Sequence, residues 1–190
     1  MSELKILAIS GSLRTRSHNS ALLRAAQKFA PDGFAVEIYD ALREIPPYDQ
    51  DQDTDTPPAA VAELRRRITE ADGLLIATPE YNYGIPGVLK NALDWASRPS
   101  GHSSLNRKPI ALAGTAMSNF GTVRAQLALR QMFLWTDSQL VTKPEVHVFR
   151  SQDRFDQAGN LTDEATISLL QDLLLALGNK IRSSRTHAAA

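Results

Sequence analysis

The sequence predicts an α/β fold, a parallel sheet with helices packed on both faces. Two observations predict it. Short apolar runs alternate about five times with longer segments whose apolar residues recur at helical spacing, which is the pattern of successive βαβ units. The short runs are also mostly apolar, Leu4–Ile9 with a single Lys, as strands covered on both faces are.

Leu4–Ile9 is the first such run, and Ser-Gly-Ser ends it. Asn19–Ala30 places Leu22, Leu23, Ala26 and Phe29 on one helical face, and Pro31-Asp32-Gly33 stops it. Phe34–Tyr39 reads as a strand, Ile45–Pro58 as a loop rich in Pro and Asp, and Ala59–Ala71 as a helix. Gly73–Ala77 is a buried strand. Pro86–Ser97 is a helix whose Pro suits the first turn. Ile110–Gly114 is a strand and Thr122–Leu134 a helix. Gln139–Val141 and Val146–Phe149 are short strands on either side of Pro144. Thr162–Arg182 is the last helix, with Thr162 as its cap and Asp163 and Glu164 at the positive end of its dipole.

A length of 190 residues and a 43% hydrophobic content suit one domain with a real core, spanning 1–182, followed by a disordered tail at 183–190. The formal net charge is +0, so the chain lacks the basic field that non-specific nucleic-acid binding needs. With no cysteine there is no disulfide, thiolate metal site or Cys nucleophile, in keeping with a cytoplasmic protein. No secretory leader is expected from Met1–Lys5, and no apolar run approaches a membrane span.

Parallel sheets bind ligands beyond the carboxyl ends of their strands, where strand order reverses. That directs attention to Ser10–Asn19, Thr78–Ile85 and Thr115–Gly121. The first loop is dense in hydroxyls and precedes a helix, whose free N–H groups and dipole attract anions. Ser12, Ser17, Asn19 and Ser20 can donate to phosphate oxygens, and Arg14 can offer a charged fork. The same loop can equally be a polar turn with an N-cap at Ser17 or Asn19. It is neither G-x-G-x-x-G nor a P-loop. In the second loop Tyr81 and Tyr83 can flank a flat ring while backbone amides meet its polar edge.

Gly11-Ser12-Leu13-Arg14 with Ser17 and Asn19, then Pro79-Glu80-Tyr81-Asn82-Tyr83 with Pro86-Gly87, Lys90-Asn91 and Asp94-Trp95, resemble the NADPH-dependent FMN reductase family. Within it the chain is most similar to bacterial chromate and quinone reductases, from about Leu4 to about Leu177. The resemblance implies a flavodoxin-like three-layer sandwich with a five-stranded parallel sheet in order 2-1-3-4-5. It also implies bound FMN, NADPH or NADH as electron donor, a small-molecule acceptor, and a homodimer or homotetramer. Carried over by position, Ser12, Arg14, Ser17 and Asn19 match phosphate ligands. Pro79, Glu80, Tyr81 and Asn82 match the segment against the flavin ring, and Ser118 is the candidate contact in the third loop. No side chain is expected to act as acid or base, because the flavin carries the chemistry. A flavodoxin-like electron carrier is the alternative.

Three positions depart from the family pattern. Arg16 stands where relatives often have Gly, His18 where they often have an aromatic or apolar residue, and Gly84 where Ser is common. Two arginines in one loop leave open which faces the FMN phosphate, and Arg16 can instead face a second anion such as the 2′-phosphate of NADPH. His18, His102, His147 and His187 are scattered and suggest no metal site. Asp49, Asp51, Asp53 and Asp55 read as a solvated loop rather than a calcium site. Trp95 and Arg98 are either interface residues or, for Trp95, buried in its own subunit.

Overall fold

The structure is a computed structural model and describes residues 3–188. Six strands form one sheet: β1 (Leu4–Ser10), β2 (Phe34–Tyr39), β3 (Gly73–Ala77), β4 (Pro109–Thr115), β5 (Gln139–Leu140) and β6 (Val146–Val148). All pairings are parallel and the order is β2-β1-β3-β4-β5, with β6 also on β4. The expected order 2-1-3-4-5 is therefore present, with one refinement. Two short strands share the fifth position: β5 pairs with Pro109 and Ile110, and β6 with Ala113, Gly114 and Thr115. Pro144 lies between them and has no N–H for a continuous ladder.

Five α-helices cover the sheet: α1 (His18–Lys28), α2 (Ala59–Glu70), α3 (Gly87–Ala96), α4 (Val123–Trp135) and α5 (Glu164–Ala188). The period-2 alternation of strands divides the core in two. Ile6, Ala8 and Leu75 pack under α1 and α5 with Leu22, Leu23, Leu174 and Leu177. Leu7, Ile9, Leu74 and Ile76 pack against α2, α3 and α4 with Leu64, Leu89, Leu93 and Phe133. Burying each such side chain contributes about 1.5–3 kcal/mol, and β1, β3 and β4 are buried at nearly every position.

The chain's last helix differs from its sequence reading at both ends. Asp163, not Thr162, caps it, accepting from the Thr166 N–H at 3.0 Å and from its hydroxyl at 2.5 Å. Thr162 instead donates to the Arg154 carbonyl. The helix continues to Ala188, past Arg182 where the apolar stripe ends. There Ser184 bonds Gln139 and Arg185 pairs with Asp72, which ties the last turns to the N-terminal edge of the sheet. Polar anchoring of this kind leaves no trace in hydrophobic periodicity. Residues 189 and 190 of the expected tail lie outside the described residues.

Candidate active site

Parallel register brings three strand ends to one level. Ser10 pairs with Ala77, and Ala77 with Ala113. The ladder runs one step into the loops, through Gly11 N–H to Ala77 C=O and Thr78 N–H to Ala113 C=O. β1 lies between β2 and β3, so the chain crosses from one side of β1 to the other, and the loops after β1, β3 and β4 open at that reversal.

The loop after β1 is held by its own hydroxyls. Ser10 and Ser20 share a hydrogen bond of 2.9 Å, and the Ser12 N–H donates to Ser10 Oγ at 3.3 Å. The Arg14 N–H reaches Ser12 Oγ at 3.4 Å. Ser17 is the N-cap of α1 and accepts from the Ser20 N–H. Within the described residues, the first-turn amides of His18 and Asn19 have no acceptor, as the open end of a helix requires. Arg14 is exposed, and among the described residues no carboxylate pairs with it. Burial, and then the charge of Arg14, hold the His18 imidazole below its ordinary pKa, so this residue is neutral near pH 7.

Asn19 performs a different task from the one its sequence position suggested. Its buried amide donates to the Thr115 carbonyl and accepts from the Thr115 N–H, each at 3.0 Å. It joins the start of α1 to the end of β4, 96 residues away. Thr115 was not among the site residues expected from sequence. Its hydroxyl is buried at this junction without a partner. In the sequence it stood out just as the first residue of the third loop, Thr115–Gly121.

The loop after β3 turns tightly at Tyr81-Asn82-Tyr83-Gly84, with Tyr81 and Gly84 exchanging backbone hydrogen bonds of 3.2 and 2.9 Å. Asn82 and Tyr83 both have positive φ, 50° and 65°. Asn tolerates that region, but Tyr is strained there by an amount on the order of 1 kcal/mol or more. The Arg124 guanidinium lies 3.9 Å from the Tyr83 ring centroid and 4.5 Å from that of Phe120. Arg124 is itself held by Glu80 at 2.6 Å.

Glu80 also accepts from the Arg124 and Ala125 amides, at 2.9 and 3.2 Å, and so caps α4. Burial pushes its carboxyl up, but the hydrogen bonds from Arg124 and the two amides, with the Arg124 charge, outweigh burial and leave it below its ordinary value. The Glu80 side chain therefore locks the second loop to the start of α4 and does not face open space. Arg124 escaped sequence reading because its partner is 44 residues away. Pro79, Tyr81 and Asn82 remain beside the strand ends, and Tyr81 and Tyr83 are both exposed.

The loop after β4 is pinned through Ala116, whose N–H donates to Val148 C=O and whose C=O accepts from the Ser151 N–H. Ser118 is exposed beyond that anchor. Its hydroxyl accepts weakly from the Phe120 N–H, and its carbonyl accepts from the Arg150 N–H. Two glycines make the loop possible. A Cβ on Gly114 would sit 2.0 Å from Thr122 Oγ1 and 2.6 Å from the Thr78 carbonyl. Gly121 has φ +53° directly against the His147 backbone.

Trp95 is fully buried in its own subunit, with its Nε1–H on the Pro46 carbonyl at 2.9 Å and its ring edge-on to Tyr48. Asp49 caps a short turn, and Asp53 pairs with Arg65.

A sequence profile described as NADPH-dependent FMN reductase matches residues 4–153. The chain belongs to that family. It is 44% identical over 183 residues to an NAD(P)H-dependent FMN reductase of Pseudomonas aeruginosa, covering 96% of this chain and 98% of the relative. It is 42% identical over 182 residues to a 2-hydroxy-1,4-benzoquinone reductase of a Burkholderia species, with the same coverage. Among solved structures it resembles FerB, a flavoenzyme NAD(P)H:(acceptor) oxidoreductase from Paracoccus denitrificans. The TM-score is 0.85 at 32% identity, covering 95% of this chain and 98% of that one. The family's FMN suits what these loops offer, namely hydroxyls, orphan amides and an unpartnered arginine at one end, and the unpartnered Thr115 hydroxyl at the junction with the third loop.

Proposed function

We propose that this chain is an FMN-dependent NAD(P)H oxidoreductase that reduces small acceptors, with quinones as the first class to test. The observation that carries this reading is the junction of Asn19 and Thr115, which joins an anion-binding loop to the small-residue loop after β4 at the reversal of strand order. The names of the 44% and 42% identical relatives support the donor and the acceptor class.

The chemistry FMN supplies when bound is acceptance of a hydride from NAD(P)H and delivery of its electrons to the acceptor. The chain's residues bind and orient. Ser12, Ser17 and Ser20, with the open amides of α1 and the charge of Arg14, hold the phosphate. The Asn19 side chain fixes the spacing between loops, and its backbone N–H is one of those open amides. Pro79–Asn82 and Ala116–Ser118 are the segments that would hold the ring, and free backbone N–H groups there would stabilise negative charge without a proton donor. Glu80 acts through Arg124 by holding Tyr83 and Phe120 at the site's edge.

We assign a homodimer or homotetramer, because α4 leaves Leu127, Leu134 and Trp135 in solvent, Trp135 at 89% exposure. Exposed apolar stripes of this kind mark interfaces. Light scattering that gave a monomer would contradict this. No helix among the described residues is long and apolar enough to cross a membrane, and the absence of cysteine suits the cytoplasm.

The test of function is NADPH oxidation by the FMN-loaded protein with 1,4-benzoquinone. Steady turnover supports an enzyme. A protein that holds FMN but leaves NADPH and NADH untouched is an electron carrier.

A further inference from the structure

A second cleft lies beside the flavin-phosphate loop and shares Ser17 and His18 with it, while its two arginines, Arg16 and Arg24, have no part in the site above. It has a volume of about 390 Å³ and lies between the first turns of α1 and the turn at 156–159. Its position is set by a ring stack. His18 lies parallel to Phe155, with centroids 4.6 Å apart and 7° between planes. This pins the 155–161 segment across the start of α1, and the Phe155–Leu161 bridge closes the segment on itself.

Arg16 and Arg24 both line the cleft. Elsewhere in the fold, arginines such as Arg65, Arg124 and Arg154 rest on carboxylates at 2.6–2.7 Å. Among the described residues no carboxylate lies within 4 Å of Arg16 or Arg24. The one acid in the cleft is Asp156, and it is committed to its own turn. It accepts from the Asn160 backbone N–H at 2.8 Å and the Asn160 side-chain amide at 3.0 Å. A concave site with two unpaired guanidinium groups suits a compact dianion, whose two charges and several oxygens can engage both forks at once.

We propose that Arg16 and Arg24 bind a phosphate monoester in this cleft, the 2′-phosphate of NADPH, and so set the preference for NADPH over NADH. This inference rests on the oxidoreductase reading above. Thr15, Ser17 and His18 belong both to this cleft and to the first loop, so the second phosphate binds next to the first. Arg14 is then left to FMN, which resolves the two-arginine ambiguity of the loop.

The experiment uses FMN-loaded wild type, Arg16→Ala and Arg24→Ala. Calorimetry measures binding of 2′,5′-ADP, 5′-ADP and inorganic phosphate, and initial rates are compared for NADPH and NADH. The expected result is 2′,5′-ADP binding that weakens about tenfold or more in each variant, since each removes a charge-assisted contact. The NADPH KM rises in parallel, while flavin content and NADH kinetics are unchanged. Equal effects on both dinucleotides, or none, overturn the proposal, as does loss of FMN from Arg16→Ala. Inorganic phosphate binding as tightly as 2′,5′-ADP would assign the site to free phosphate and overturn the dinucleotide role. If 2′,5′-ADP binds as expected but neither dinucleotide is oxidised, the functional reading fails and the phosphate site stands.

Discussion

The side-chain amide of Asn19 grips the backbone of Thr115 at both its N–H and its C=O, each at 3.0 Å. Both residues are buried, so removing the amide strands two backbone groups away from water. Each stranded group costs about 1–3 kcal/mol. Asn19→Ala should therefore lower unfolding stability by roughly 2–6 kcal/mol and weaken FMN binding, although the Asn19 side chain need not touch the ligand. Denaturant midpoints and flavin titration report the two effects. A stable variant with normal FMN affinity would show that the junction is not structural.

Among the described residues Arg14 has no carboxylate partner, and it is exposed in the first loop. Arg14→Ala should weaken FMN binding by about 1.5–3 kcal/mol, the worth of a hydrogen bond to a charged group, without lowering stability. Quenching of FMN fluorescence on binding measures the change. Unchanged affinity would move the phosphate to Arg16 and undo the division of labour between the two.

The Glu80 cap on α4 makes stability depend on pH. The folded carboxyl lies below its ordinary value of 4.5. Its contribution is therefore complete above pH 4.5 and is lost as pH falls through the folded value. Glu80→Gln should cost about 1–3 kcal/mol at neutral pH and flatten the acid limb of the stability curve. Denaturation at a series of pH values from neutral to about 3 would show it. Parallel curves for wild type and variant would rule out this linkage.

Gly114 has no room for a side chain, since the added carbon would meet both Thr122 Oγ1 and the Thr78 carbonyl. The backbone carbonyl cannot rotate away as a side chain can. Gly114→Ala should cost about 1–3 kcal/mol or more and reduce flavin retention by displacing the third loop. Thermal unfolding with and without FMN tests it, and an unshifted midpoint would contradict it.

Much of this architecture was legible before any coordinates. Phe34–Tyr39 and Gly73–Ala77 were bounded to the residue, because apolar runs between turn signals leave little choice. The three loops were legible from topology alone, since parallel strands must end at one edge. What escaped was long-range polar chemistry. Asn19 reads as a donor for a ligand until Thr115 is beside it. Glu80 reads as part of a ring-facing segment until Arg124 arrives from α4. Asp163 displaced Thr162 as a cap because both precede the helix and only geometry separates them. The reach of α5 to Ala188 depends on Gln139 and Asp72, which no periodicity connects to it.

The most direct test of the central claim is the visible spectrum of purified protein incubated with FMN, desalted, and then mixed anaerobically with NADPH and afterwards with 1,4-benzoquinone. The expected result is a retained flavin spectrum at one FMN per chain, bleaching by NADPH, and recovery on adding the quinone. A protein that emerges without flavin after incubation with excess FMN, or whose bound flavin neither NADPH nor NADH bleaches, would contradict it.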